Sequence, residues 1–213
     1  MKEDYIDRFL SLLSTKDDKR LALQEFCKQY YYFSIHQILA FSKMSLRYHQ
    51  LDRKAICEIA KTIYEEYGSG KQERIHSVLF EKLMIACGVT KEDMLLAPDK
   101  VYSTTKAYIY ALDNAFAAGT LAQALSAYVF LEKTAVNIYP RFLAALKTYN
   151  FSDDEIDFFI EHAYLEPKHL EAAYALVDQQ YFSEADKQDF ENQFLILEKR
   201  YNDFWQGLTA TMI

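Results

Sequence analysis

The stretch FFIEHAYLEPKHLE, residues 158–171, places His162, Glu166 and His169 at positions i, i+4 and i+7. At 3.6 residues per turn these three side chains leave one face of a helix. Two imidazoles and a carboxylate so arranged suit iron, manganese or zinc. The chain has five histidines, His36, His49, His76, His162 and His169, so two on one stripe carry information. The competing reading is a polar helix face with ordinary surface histidines. Pro167 deletes a backbone N–H within the run, and a bend or loosening of the helix is expected there.

Outward from this stretch the pattern reads helix after helix. Ser152 with Glu155 forms a capping-box pair, and Phe151 with Ile156 has the spacing of a hydrophobic staple, so a helix opens there and runs into the His162 region. Residues 120–149 read as one helix with Pro140 as a kink, and residues 101–118 as another that ends near Gly119. Residues 72–87 form a helix stopped by Gly88, and Thr90 with Asp93 caps a short one. Residues 51–67 form a helix that ends at the Gly68-Ser69-Gly70 loop. A long helical stretch is expected over 17–48, a short amphipathic one over 4–14, and a last helix over 183–205. Five glycines and three prolines in 213 residues favour long helices over many short strands. With no repeat or linker, residues 1–213 read as a single all-α domain.

Composition excludes several function classes. The formal net charge is −7 and no run of Lys and Arg marks a basic face, so nucleic acid is not an expected partner. The opening MKEDYIDRFL alternates charged and apolar residues, so a signal peptide is not expected there. The longest apolar candidate, residues 115–131, is interrupted by Gln123 and Ser126 and meets Glu132 and Lys133, so no membrane span is expected. Cys27, Cys57 and Cys87 are odd in number and widely spaced. They fit a reducing cytoplasm and are expected as small buried hydrophobes.

Other helices supply further ligand types. Glu73 and His76 stand three apart, a Glu-x-x-His spacing that two-metal helical bundles use. The plain alternative is an exposed first turn with ordinary polar residues. Glu66 competes for the carboxylate role, because it shares a face with Ile59 and Ile63. Glu132 follows Leu125, Tyr128 and Val129 at helical spacing, so its carboxylate projects from an apolar stripe. Burying it is costly unless it is paired or binds metal, and a structural salt bridge is the competing reading. Glu73, His76, Glu132, His162, Glu166 and His169 together would furnish a first shell for two metals, with one carboxylate bridging.

The order of these residues resembles the haem-oxygenase-like di-iron oxidases and oxygenases. The segments that carry the resemblance are GKQERIH, AYVFLEK and HAYLEPKH, spread over residues 70–169. The resemblance implies a helical bundle of about seven helices that binds two iron ions directly rather than haem, with manganese as an alternative. It implies O2 as co-substrate and an oxidase or oxygenase acting on a small metabolite, such as an amino acid or amine, by N-oxygenation or oxidative C–C cleavage. Candidate partners are that small-molecule substrate, an external electron donor and a second copy of the chain in a homodimer. Two departures stand out. The last acid of the pattern is usually Asp and here is Glu166. The first Glu stands seven residues before the His in some members, where this chain has Ser69, so Glu73 at the shorter spacing fits, with Glu65 and Glu66 as outside candidates. A p-aminobenzoate-forming enzyme that consumes its own tyrosine is an alternative, with Tyr30, Tyr31, Tyr32, Tyr128, Tyr139 and Tyr164 as candidates. Such members carry a Lys ten residues after the middle Glu, where this chain has Phe142. A metal-free relative similar to thiaminase-like or PqqC-like proteins lacks the full ligand set.

Overall fold

The computed structural model describes residues 5–15 and 19–210. Its α-helices are α1 (Tyr5–Thr15), α2 (Lys19–Ser42), α3 (Arg53–Glu66), α4 (His76–Ala86), α5 (Lys91–Met94), α6 (Ser103–Ala117), α7 (Leu121–Leu146), α8 (Asp157–Asp178) and α9 (Glu184–Ala210). Among the described residues the chain is all-helical, as expected, but with nine α-helices rather than about seven. The difference lies in short pieces such as α5, a single turn held by Thr90, whose hydroxyl accepts from the Asp93 N–H at 3.3 Å. The stretch expected as one helix over 17–48 is α2 followed by a 3-10 segment, Lys43–Gln50. Asp17 and Asp18, where that helix was expected to start, lie outside the described residues, as does Asp4 of the expected 4–14 helix.

The centre of the bundle is α7, which packs along α8 on one side and α9 on the other, while α2 lies against α6 and α4. Its start is fixed by a capping box. The Thr120 hydroxyl accepts from the Gln123 N–H at 3.3 Å, and the Gln123 side chain accepts from the Thr120 N–H at 2.8 Å. These bonds satisfy donors that the first helical turn leaves open. The Ser152–Glu155 pair forms the expected reciprocal bonds, but it caps a turn, and α8 begins only at Asp157. Both Pro140 and Pro167 sit inside continuous helices.

The core is aromatic. Phe26 stacks on Phe142 with centroids 4.8 Å apart, and Phe142 on Phe159 at 5.6 Å. Phe9 meets Trp205 at 5.5 Å. Each ring removed from water contributes about 1.5–3 kcal/mol, and rings from α1, α2, α7, α8 and α9 thereby fix the helices to one another. Cys27 and Cys87 are buried in this core as expected, whereas Cys57 is exposed on α3. Ala55 and Ile59 turn the buried face of α3 inward and leave Cys57, two residues from each, on the opposite side. No helix among the described residues is long and apolar enough to cross a membrane.

Candidate metal centre

Four helices bring chemistry to one place. The last residues of α3 supply Glu65 and Glu66, the first residue of α4 supplies His76, α7 supplies Glu132, and α8 supplies His162, Glu166 and His169. Their donor atoms form two groups, Glu66 with His76 and His162, and Glu132 with Glu166 and His169. Within each group the atoms lie no more than 4.8 Å apart. Glu166 joins the groups. One of its oxygens is 3.9 Å from His162 Nε2 and the other is 3.6 Å from His169 Nδ1.

The imidazoles are oriented from behind. His162 Nδ1 lies 2.7 Å from the Phe158 carbonyl. A carbonyl only accepts, so Nδ1 carries the proton and Nε2 turns its lone pair to the centre. His169 Nε2 donates to Glu65 at 2.9 Å, which leaves Nδ1 facing Glu132 at 3.7 Å and Glu166. His76 Nδ1 is 2.8 Å from Glu66, yet off the line a hydrogen bond needs. His76 Nδ1 and His169 Nδ1 are both buried with no hydrogen-bond partner among the described residues. Buried nitrogens left so are costly unless something else binds them.

The electrostatics describe a site short of positive charge. Burial, then the neighbouring Glu166, pushes the Glu132 carboxyl well above the usual range. Burial also disfavours charge on Glu166, but His169 and Glu132 close beside it hold it below the usual value. The pair therefore keeps one proton, because two adjacent buried carboxylates cannot both ionise. Burial and the nearby His76 lower His162 to about 4. His169 rises to about 9, since Glu166 and then Glu65 outweigh its burial. Glu66 is drawn down to about 2 against its burial, chiefly by His76.

Three carboxylates and three imidazoles in two adjoining groups, with orphaned nitrogens turned inward, are a donor set that iron fits. A family model described as iron-containing redox enzyme matches residues 24–195. The chain belongs to this family of iron-containing redox enzymes. No curated protein matches it. Among solved structures it is similar to a domain of unknown function with a haem-oxygenase-like fold from Shewanella denitrificans, 18% identical, with a TM-score of 0.72 over 97% of this chain and 85% of that one. That likeness gives this iron-containing redox enzyme a haem-oxygenase-like fold.

Five of the six residues singled out in the sequence, His76, Glu132, His162, Glu166 and His169, come together here. Glu73 does not. It is exposed in a 3-10 turn, Gln72–Arg74, and the extended Ile75 separates that turn from α4. Glu73 and His76 therefore share no helix face. The turn is pinned by Arg74, which donates to Asp157 at 2.6 Å and Glu161 at 2.5 Å on α8. The reversal before it needs three residues with positive φ, Gly68 (78°), Ser69 (52°) and Gly70 (83°). A Cβ on Gly68 would stand 2.6 Å from the Ile75 nitrogen. This tight return puts His76 beside the end of α3, where Glu66 waits. In the sequence Glu66 was marked by its place on the Ile59 and Ile63 face, and both Glu65 and Glu66 were outside candidates for the first carboxylate. The bond of Glu65 to His169, 104 residues away, has no sequence signal.

Proposed function

We propose that this member of the family is a non-haem di-iron enzyme that uses O2 to oxidise a small metabolite, with an amine as the favoured substrate class. The observation that carries the reading is Glu166, which directs one oxygen to each of two donor groups. Glu66, His76 and His162 would hold one metal, and Glu132 and His169 the other. Iron bound there supplies the electrons that O2 activation needs.

The chain's own residues do the rest. A cavity of about 60 Å³ adjoins the donors, bounded by Ile35, Ile38, Leu131, Ala135 and Phe158 with Ser34 and Gln37. These apolar walls exclude water and hold the aliphatic part of a substrate. Among the described residues that line it, none is Lys or Arg, so a substrate carboxylate remote from the metals meets no cation. An amine next to Glu66, Glu132 and Glu166 meets complementary charge. This favours N-oxygenation of an amine over attack on a free amino acid. An external donor would return the iron to the ferrous form between turnovers.

Tyrosine consumption is the second reading. Tyr139 lines the same cavity, with its ring 4.5 Å from that of His162. The residue that stands in for the expected lysine, Phe142, is locked in the aromatic core against Phe26 and Phe159, which counts against it.

Anaerobic titration with ferrous ion, followed by exposure to O2 and watched by absorbance, tests the proposal. Two equivalents bound and a change in absorbance on O2 addition are expected. Saturation at one equivalent would overturn the di-iron reading, and a parallel manganese titration distinguishes the metals.

A further inference from the structure

Two more cavities follow on from the metal cavity through shared lining residues. The nearer, of about 30 Å³, is walled by Phe33, Tyr108, Ile138 and Phe204. Gln37, Leu131, Ala135 and Tyr139 face both it and the metal cavity, so one layer of side chains separates the two. The farther, of about 630 Å³, lies between α1, α7 and α9 and opens at Lys133, Asn137 and Lys199, all exposed. Thr134, Tyr201 and Trp205 face both it and the middle cavity. Three cavities thus run in series around α7, from solvent to the metal donors.

The middle cavity is lined mostly by aromatic and aliphatic surface, with the Gln37 amide and several hydroxyls at its walls. The Tyr30 and Tyr139 hydroxyls are 3.1 Å apart. Thr134 donates to the carbonyls of Phe130 and Leu131. Trp205 Nε1 is buried with no acceptor among the described residues. Roughly 10–15 Å³ is enough for one water-sized molecule, so a space of this size admits a diatomic but not a substrate chain.

We propose that the middle cavity, bounded by Phe33, Tyr108, Ile138 and Phe204, binds small apolar gas molecules and is the route by which O2 reaches the metal centre, separate from the substrate cavity. This rests on the O2-dependent reading above. Apolar diatomics partition from water into such a space, and rotation of Tyr139 or Tyr201 passes them on. The substrate can then fill its own cavity without blocking its co-substrate.

Trp205 is the only tryptophan in the chain and lines two of the three cavities, so its fluorescence reports on the route. In the metal-free protein, quenching of Trp205 by O2 is expected with little quenching by iodide. Ile138→Phe, which fills the cavity, should lower the O2 quenching constant severalfold, and Ile138→Ala, which enlarges it, should raise it. Crystals pressurised with xenon should show one atom against Ile138. In the iron-loaded protein, Ile138→Phe should raise the O2 concentration needed for half-maximal ferrous oxidation and leave metal stoichiometry unchanged. Should Ile138→Phe not fold, the opposite shift in Ile138→Ala still decides. Xenon absent from the cavity, quenching indifferent to both variants, or ferrous oxidation with an unchanged O2 dependence would overturn the route. Quenching and xenon occupancy need no metal, so their failure sinks the route alone, whereas a ferrous wild type inert to O2 sinks the di-iron reading alone.

Discussion

Glu65 accepts a hydrogen bond from His169 Nε2 at 2.9 Å, on the opposite edge of the ring from Glu132 and Glu166. A carboxylate behind an imidazole fixes which nitrogen holds the proton and raises the basicity of the other. Glu65→Ala should therefore weaken one metal site by about 10–100-fold and leave the other unchanged. Glu65→Gln, which keeps an acceptor without the charge, should recover part of the loss. Competition against a chelator of known affinity measures both. Equal affinities in all three proteins would show that Glu65 does not act on the site.

Glu66 and Glu73 make opposite predictions on neighbouring turns. Glu66→Ala removes a donor that lies 2.8 Å from His76 Nδ1 and should abolish tight binding at one of two sites. Glu73 is exposed and belongs to neither donor group, so Glu73→Ala should bind two equivalents with unchanged affinity. Ferrous stoichiometry of the two variants side by side decides which carboxylate belongs to the centre. A loss confined to Glu73→Ala would return it to the site.

The contrast shows what could be read from the sequence. His162, Glu166 and His169 were legible because one helix carries them, and helical spacing maps directly to a shared face. Glu132 was legible because a carboxylate in an apolar stripe needs a partner. Glu73 and His76 do not share the face their spacing suggested, because three-residue spacing implies a shared face only if the helix is continuous. Residues 68–70 instead reverse the chain, and Ile75 breaks it again. Helical periodicity says nothing about which helix ends meet, so the pairing of Glu66 with His76 and of Glu65 with His169 could come only from the fold.

Cys57 offers a direct check on the orientation of α3. It is exposed while Cys27 and Cys87 are buried. An exposed thiol reacts readily with a disulfide reagent, and a thiol in the core waits for unfolding. Under native conditions one equivalent of thiol should react rapidly, and two more should follow only in denaturant. Cys57→Ser should remove the rapid phase alone. Three fast equivalents, or none, would contradict the packing of α3.

Between pH 6.5 and 9 the metal-free protein should lose stability as pH rises, and metal should erase that alkaline limb. His162 falls from an ordinary value of 6.5 to about 4, so its neutral form contributes stability above 6.5 that is lost as pH falls through 4. Glu66, lowered from 4.5 to about 2, adds to the acid limb, since stability present above 4.5 is lost as pH falls through 2. His169 has the opposite sign. Its value rises from 6.5 to about 9, so its contribution is complete below 6.5 and is lost as pH rises through 9. That loss is on the order of 1–3 kcal/mol, and the raised value of His76 acts in the same direction. With metal bound, the positive charge that the carboxylates seek comes from the ion, and His169 must be neutral to coordinate. Raising the pH from 6.5 to 9 should then no longer destabilise the protein. Urea denaturation of metal-free and metal-loaded protein across this range measures the difference. An alkaline limb of equal depth in both would mean that His169 keeps its proton and does not hold a metal.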